Sequence, residues 1–153
     1  MNSLHPRIRL VWIGQAAVSA AMFALVVGVV DFFTLEIGLL LSGGVFLALL
    51  VLFAIHSLLR YRVWRYEIRG DELYLERGVF TRVKTVVPFV RIQHVDARRS
   101  PLERLTGLAS TVVYTAGSRG ADVTVPGLTP TGADDLQARL KRLATEAEGD
   151  DAV

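Results

Sequence analysis

The sequence predicts a two-helix membrane hairpin followed by a small antiparallel β-barrel or sandwich, its open end closed by a C-terminal amphipathic helix. Three observations predict it. Two long runs near the N-terminus carry no charge, and the middle of the chain reads as short β-branched stretches broken by turn residues. The last stretch places Leu136, Leu140 and Leu143 at i, i+4 and i+7. With 52% hydrophobic and 21% charged residues, the 153-residue chain is no disordered polymer and has the composition of a membrane protein. It has no cysteine, which excludes disulfides, thiolate metal sites and cysteine nucleophiles.

The first uncharged run, residues 10–30, spans roughly 31 Å as a helix, the thickness of a hydrocarbon core. The second, residues 37–55, spans roughly 28 Å. The six residues between them, Asp31 to Glu36, suffice for a turn with two acids and two interfacial aromatics. Arg7 and Arg9 precede the first run, and Arg60, Arg62 and Arg65 follow the second. The turn has no basic residue, so the positive-inside rule places both termini and the soluble remainder in the cytoplasm. Trp12, Tyr61 and Trp64 suit the inner interface. Ala16, Ala20, Ala24 and Gly28 recur every four residues, and Gly38 and Ser42 form a shorter stripe, so helix backbones can approach closely in lipid. The stripe serves either packing within the hairpin or homo-oligomerisation. His56 has no acidic partner within the spans and reads as an interfacial residue.

The middle of the chain reads as strands at 61–68, 73–77, 82–89, 92–97, 110–115 and 122–125. Arg69-Gly70-Asp71-Glu72 forms a hairpin turn between the first two. Pro88 suits a sheet edge. The phase of 92–97 is ambiguous, and the opposite phases of Val83 and Val86 leave room for a bulge or bend there. Ser100-Pro101-Leu102-Glu103 is a capping box with proline at the first helical position, and Gly107 stops that helix. The last helix starts near 129–131, and residues 146–153 are expected to fray.

Several of these segments together resemble the bacterial and archaeal PH-like domain of the YdbS-like membrane proteins. They are Leu75-Glu76-Arg77-Gly78-Val79-Phe80-Thr81-Arg82, Val87-Pro88, Arg91-Ile92-Gln93-His94-Val95-Asp96, Ser100 to Leu108, and Thr115-Ala116-Gly117. The resemblance covers most of 1–145 and implies a PH-like barrel capped by the C-terminal helix. It speaks to architecture more than to activity. The chain divides accordingly into an N-terminal stub with the two-span hairpin (1–59), a cytoplasmic PH-like domain (60–147) and an acidic flexible tail (148–153).

Chemistry is sparse. His5, His56 and His94 lie before, inside and after the membrane segments and cannot converge on a metal. His94 and Asp96 share a strand face, which suits a structural hydrogen bond better than an acid–base pair. No nucleophile elbow, Walker loop or paired catalytic carboxylates occur, and Ser118 in the 116–121 loop has no base. No enzymatic activity and no cofactor are expected. The net charge of +2 is too small to indicate nucleic acid. Residues 60–130 nevertheless carry +5, against zero for 1–59 and −3 for 131–153. Arg60, Arg62 and Arg65 are candidates for anionic-lipid contact as well as topology determinants. Arg82, Lys84, Arg91, Arg98 and Arg99 are candidates for a surface patch. Inositol-phosphate-binding PH domains cluster basic residues in the first hairpin loop. Here that loop holds two acids, which argues against such recognition.

The expected function is a non-enzymatic, membrane-anchored interaction module at the cytoplasmic face of the cell membrane. It would contact lipid through two spans and a protein partner, or itself, through Arg91, Gln93, His94, Arg98 and Arg99. The alternatives are an anionic-headgroup sensor and an accessory subunit of a transporter or envelope enzyme.

Overall fold

The structure, a computed structural model, describes residues 2–34, 39–117 and 122–150. The chain forms two compact units, one of residues 9–62 and one of residues 1–8 with 63–153.

The first unit is a pair of long apolar helices. Helix α1, Ile8–Thr34, begins in the second unit and continues into the first, and helix α2, Leu39–Val63, follows it. Both are long and apolar enough to cross a membrane. Two corrections to the expected boundaries follow. Asp31, Phe32 and Phe33, expected in the turn, belong to the last turn of α1, with Asp31 buried and the two phenyl rings edge to face. Tyr61 and Arg62, expected in a strand, belong to the last turn of α2. The apolar face of α2 continues through Ile55, Leu58 and Leu59. Arg60 and Arg62 then complement the terminal carbonyls, so the helix has no reason to stop at residue 55. Leu35, Glu36 and Gly38 lie outside the described residues.

The second unit is built on two antiparallel sheets. Strands β1 (Asn2–Ser3), β2 (Arg65–Arg69), β3 (Glu72–Arg77) and β4 (Val83–Pro88) form one in sequential order. Strands β5 (Ile92–Arg98), β6 (Ala109–Thr115) and β7 (Val123–Leu128) form the other. Gly70 and Asp71 turn β2 into β3, with Arg69 opposite Glu72. Pro88 ends β4, an edge strand where a missing N–H costs no ladder bond. A short 3-10 turn, Phe89–Arg91, carries the chain to the second sheet.

Helix α3, Pro101–Thr106, has the expected capping box. The Ser100 hydroxyl accepts from the Glu103 N–H, and the Glu103 carboxylate accepts from the Ser100 N–H at 2.7 Å. Gly107, in the left-handed region, ends it. Helix α4, Pro130–Asp150, packs against β5, β6 and β7. Thr129 caps it by accepting from the Gly132 N–H at 3.1 Å. Its buried stripe is Ala133, Leu136, Leu140 and Ala144, while Leu143 is only half-buried. At about 100° per residue these four fall within an arc of about 80°, and Leu143 lies just beyond its edge. Residues 146–150, expected to fray, are helical, and 151–153 lie outside the described residues.

The N-terminus, expected as a stub, is part of this unit. Asn2 pairs with Tyr66 and Ser3 with Arg65, so β1 extends the first sheet. Leu4 and Ile8 are among the most completely buried side chains. The His5 N–H donates to the Gly127 carbonyl at 2.8 Å. Gly127 has φ +65°, and a Cβ there would lie 2.9 Å from the Ile8 Cβ. Only glycine combines that backbone conformation with so close an approach. Burial pushes the Tyr66 phenol above its ordinary pKa, partly offset by a hydrogen bond with the Asn2 side chain.

Candidate functional site

Strand β5 carries three of the five candidate contact residues, Gln93, His94 and Arg98. It is an edge strand of its sheet, with β6 on one side. The register shifts between Ile92 and His94, where a bulge sits, and this explains the ambiguous phase. The extra residue lets Ile92 and Val95 both face the core although they are three apart, and leaves Gln93 and His94 both exposed. Beyond the bulge, His94, Asp96 and Arg98 share one face, opposite Tyr114, Val112 and Ser110 on β6. The His94 ring lies flat on that of Tyr114, with centroids 4.1 Å apart and planes at 18°.

Helix α4 runs beside this strand and leaves a groove of about 260 Å³. The strand wall is Gln93, His94 and Val95, and the helix wall includes Gln137, Lys141, Thr145 and Glu148. At its floor the Gln137 side-chain amide donates to the Val95 carbonyl at 2.7 Å. A side chain thus satisfies a backbone acceptor of the edge strand. The groove offers donors, acceptors and one charge of each sign, and it is open at the surface.

The five proposed contact residues do not converge. Gln93 and His94 line the groove. Arg91 sits in the 3-10 turn, where its carbonyl accepts from the Ala116 N–H. Arg98 and Arg99 lie at the far end of β5, about 13 Å from His94 at ordinary strand rise. They line a separate cleft of about 360 Å³ with Ser100, Glu103, Ser110 and Thr124. There the Arg99 Nε donates to the Leu108 carbonyl at 3.4 Å, and Ser100 and Glu103 are engaged with each other.

Other cations are engaged too. Arg69 bonds Glu67 at 3.0 Å, which holds that carboxyl below its usual range, and lies over the Tyr74 ring. Arg82 is 4.0 Å from Glu76, while Lys84 is exposed on β4. Ser118 and Arg119 lie outside the described residues.

Sequence reasoning missed the helix side of the groove. The available signal was a polar row, Gln137, Lys141, Thr145 and Glu148, running beside the apolar stripe at helical spacing.

In the helix pair, Ala16 and Ala20 are buried, and Ala24 and Gly28 half-buried. A Cβ on Gly28 would lie 3.5 Å from the Ser42 Cβ, so these two small residues face each other within one hairpin. At the other end, Arg60 lies 4.3 Å from the Trp12 ring centroid and Arg9 4.9 Å from that of Tyr61. Arg65 belongs to the other unit, as the first residue of β2. Arg60 and Arg62 thus belong to α2 and Arg65 to β2.

Two apolar helices, then orthodox sheet–sheet–helix order, match a known architecture along most of their length: residues 9–144 match the family described as Bacterial PH domain. The chain belongs to that family. It is similar to the UPF0699 transmembrane protein YdbS of Bacillus subtilis (strain 168), with 35% identity over 91 residues. The match covers 60% of this chain and 55% of that protein, so the chain spans about half the length of this curated relative. No solved structure matches. The chain is thus a transmembrane bacterial PH-domain protein with two candidate spans.

Proposed function

We propose that this bacterial PH-domain protein is a non-enzymatic, membrane-tethered interaction module whose folded unit faces the cytoplasm and engages a protein partner in the groove between β5 and α4. The observation that carries the reading is the edge position of β5 beside that groove. An edge strand offers backbone donors and acceptors to a partner segment, and α4 supplies side chains that read it. The cytoplasmic placement rests on the arginines that flank both spans and are missing between them. The non-enzymatic reading rests on a sequence without a nucleophile–base or phosphate-loop motif. Two spans already hold the unit at the bilayer, so its surface is available for a partner. Confinement to two dimensions lets weak contacts suffice. The headgroup-sensor alternative draws less support, because Arg69 and Arg99 are engaged with the protein's own acceptors.

The test places photo-crosslinking side chains in living cells at Gln93 and Thr145, on the two walls of the groove, and at Arg77, an exposed control on β3. One protein captured from both walls, absent from the control and lost when Gln137→Arg fills the groove, supports the proposal. Equal capture from all three positions overturns it.

A further inference from the structure

The base of the helix pair holds a second groove, of about 430 Å³, with a composition unlike the first. Ile55, Leu58, Leu59 and Arg62 line it from α2, Arg9 lines it from α1, and Tyr61 closes one side. The four α2 residues recur at i, i+3, i+4 and i+7, so they form one stripe along a single helix face. From Ile55 to Arg62 the stripe rises about 10 Å, apolar for its first part and cationic at its end. Arg9 brings a second guanidinium to that same end, held over the Tyr61 ring at 4.9 Å. Leu58, Leu59 and Ile55 stay substantially exposed, at 43%, 41% and 51%.

We propose that this groove binds one anionic phospholipid, its phosphate between Arg9 and Arg62 and the start of one acyl chain along Leu59, Leu58 and Ile55. The order of residues matches the order of groups in a lipid. The cations sit where α2 ends among Tyr61 and Trp12, rings of the kind that settle at the headgroup level. The apolar residues lie one to two turns deeper into the span. Lipid is the solvent of such a helix face, so the groove is filled by whichever lipid fits it best, and two guanidinium groups select a net negative headgroup over a zwitterionic one. Arg60 lies over the Trp12 ring and does not line this groove, so the selection falls to Arg9 and Arg62. The site differs from the β5–α4 groove in residues and in ligand, and it stands whether or not a protein partner binds there.

Native mass spectrometry of the full-length protein, titrated in micelles with phosphatidylglycerol or phosphatidylcholine, tests it. The expected result is one retained phosphatidylglycerol with roughly tenfold preference over phosphatidylcholine. The double variant Arg9→Gln/Arg62→Gln should lose that preference. Arg62→Lys should keep most of it, and Arg77→Gln in the folded unit should keep all of it. Millimolar inorganic phosphate should leave the lipid bound. Equal retention of the two lipids, undiminished preference in the double variant, or displacement by inorganic phosphate would each overturn the proposal. Because Arg62→Lys preserves charge and helix, loss of preference there as in the double variant would assign the effect to structure and also count against it.

Discussion

Replacing Gly127 by alanine places a methyl group where the structure leaves no room. Gly127 sits at φ +65°, a region that costs a residue with a Cβ about 1–2 kcal/mol. The new carbon would lie 2.9 Å from the Ile8 Cβ, 3.1 Å from its Cγ1 and 3.3 Å from the Leu4 Cβ. Comfortable carbon contacts begin near ~3.5 Å. Leu4 and Ile8 are buried, so neither side chain can swing into solvent, and overpacking of this kind costs about 1–3 kcal/mol. The two costs together reach about 2–5 kcal/mol, a large share of the ~5–15 kcal/mol that holds an ordinary domain folded. For a unit of this size the melting temperature should fall by about 10 °C or more. Thermal unfolding in detergent measures this, with Gly70→Ala as control, since a Cβ at Gly70 meets nothing within 4 Å. Hydrogen exchange at the His5 amide, which donates to the Gly127 carbonyl, should quicken in Gly127→Ala and not in the control. If Gly127→Ala melts with Gly70→Ala, within a degree or two of the parent, the N-terminal segment is not seated against β7 and the reasoning fails.

Three further outcomes are expected. Ser100→Ala removes half of the capping box and should destabilise the unit by about 1 kcal/mol in the same unfolding assay. Gln137→Ala leaves the Val95 carbonyl without its side-chain donor; about 1 kcal/mol should be lost, with faster exchange confined to β5 and α4 peptides. The Tyr66 phenol, raised by burial, keeps its proton in the folded chain when the unfolded chain has released it. Stability should therefore be intact below the ordinary tyrosine pKa of about 10 and fall as pH rises past it. Tyr66→Phe should flatten that alkaline limb in a pH series of unfolding curves.

What was legible in the sequence was either long or local. The two spans declare themselves over some twenty residues each. The capping box needs only Ser100 and Glu103, whose side chains and backbones answer each other three residues apart. Strand phase failed at β5 because one bulged residue moves Gln93 and His94 to the same exposure and lets Ile92 and Val95 share the core, which no strict period-2 reading anticipates. The C-terminal end of α2 was misplaced for a different reason. Tyr61, Val63 and Trp64 have strong strand preference, yet Tyr61 and Val63 continue a helix whose hydrogen bonds are already propagating. The groove needed both walls, and Gln137 meets Val95 across 42 positions of chain, a contact no local pattern encodes. Of the candidate contact residues, Gln93 and His94 line that groove, whereas Arg98 and Arg99 line another cleft, because a strand carries residues four apart well away from each other.

The N-terminal segment changes what the folded unit is. A strand of two residues has no periodicity to detect, so Asn2 and Ser3 read as the start of a stub, yet they pair with Tyr66 and Arg65 across the whole length of the hairpin. The PH-like unit is consequently discontinuous, with residues 9–62 inserted between its first strand and its second. Leu4 and Ile8 each bring about 1.5–3 kcal/mol of burial to it, and β1 adds the ladder bonds along β2. A fragment that starts at residue 60 forfeits all of this and leaves Gly127 facing an empty slot, so its failure to bind a vesicle or a partner would report on its folding and not on its surface. The better-posed soluble version keeps residues 1–8 and joins them to residue 63 through a short flexible linker. The antiparallel pairing of Ser3 with Arg65 makes that possible, since it holds those two residues on neighbouring strands about 5 Å apart, with each cut end only a few residues further along the chain. If the linked chain is no more stable than the fragment from residue 63 onward, the first strand contributes nothing and the unit begins, after all, where the second helix ends.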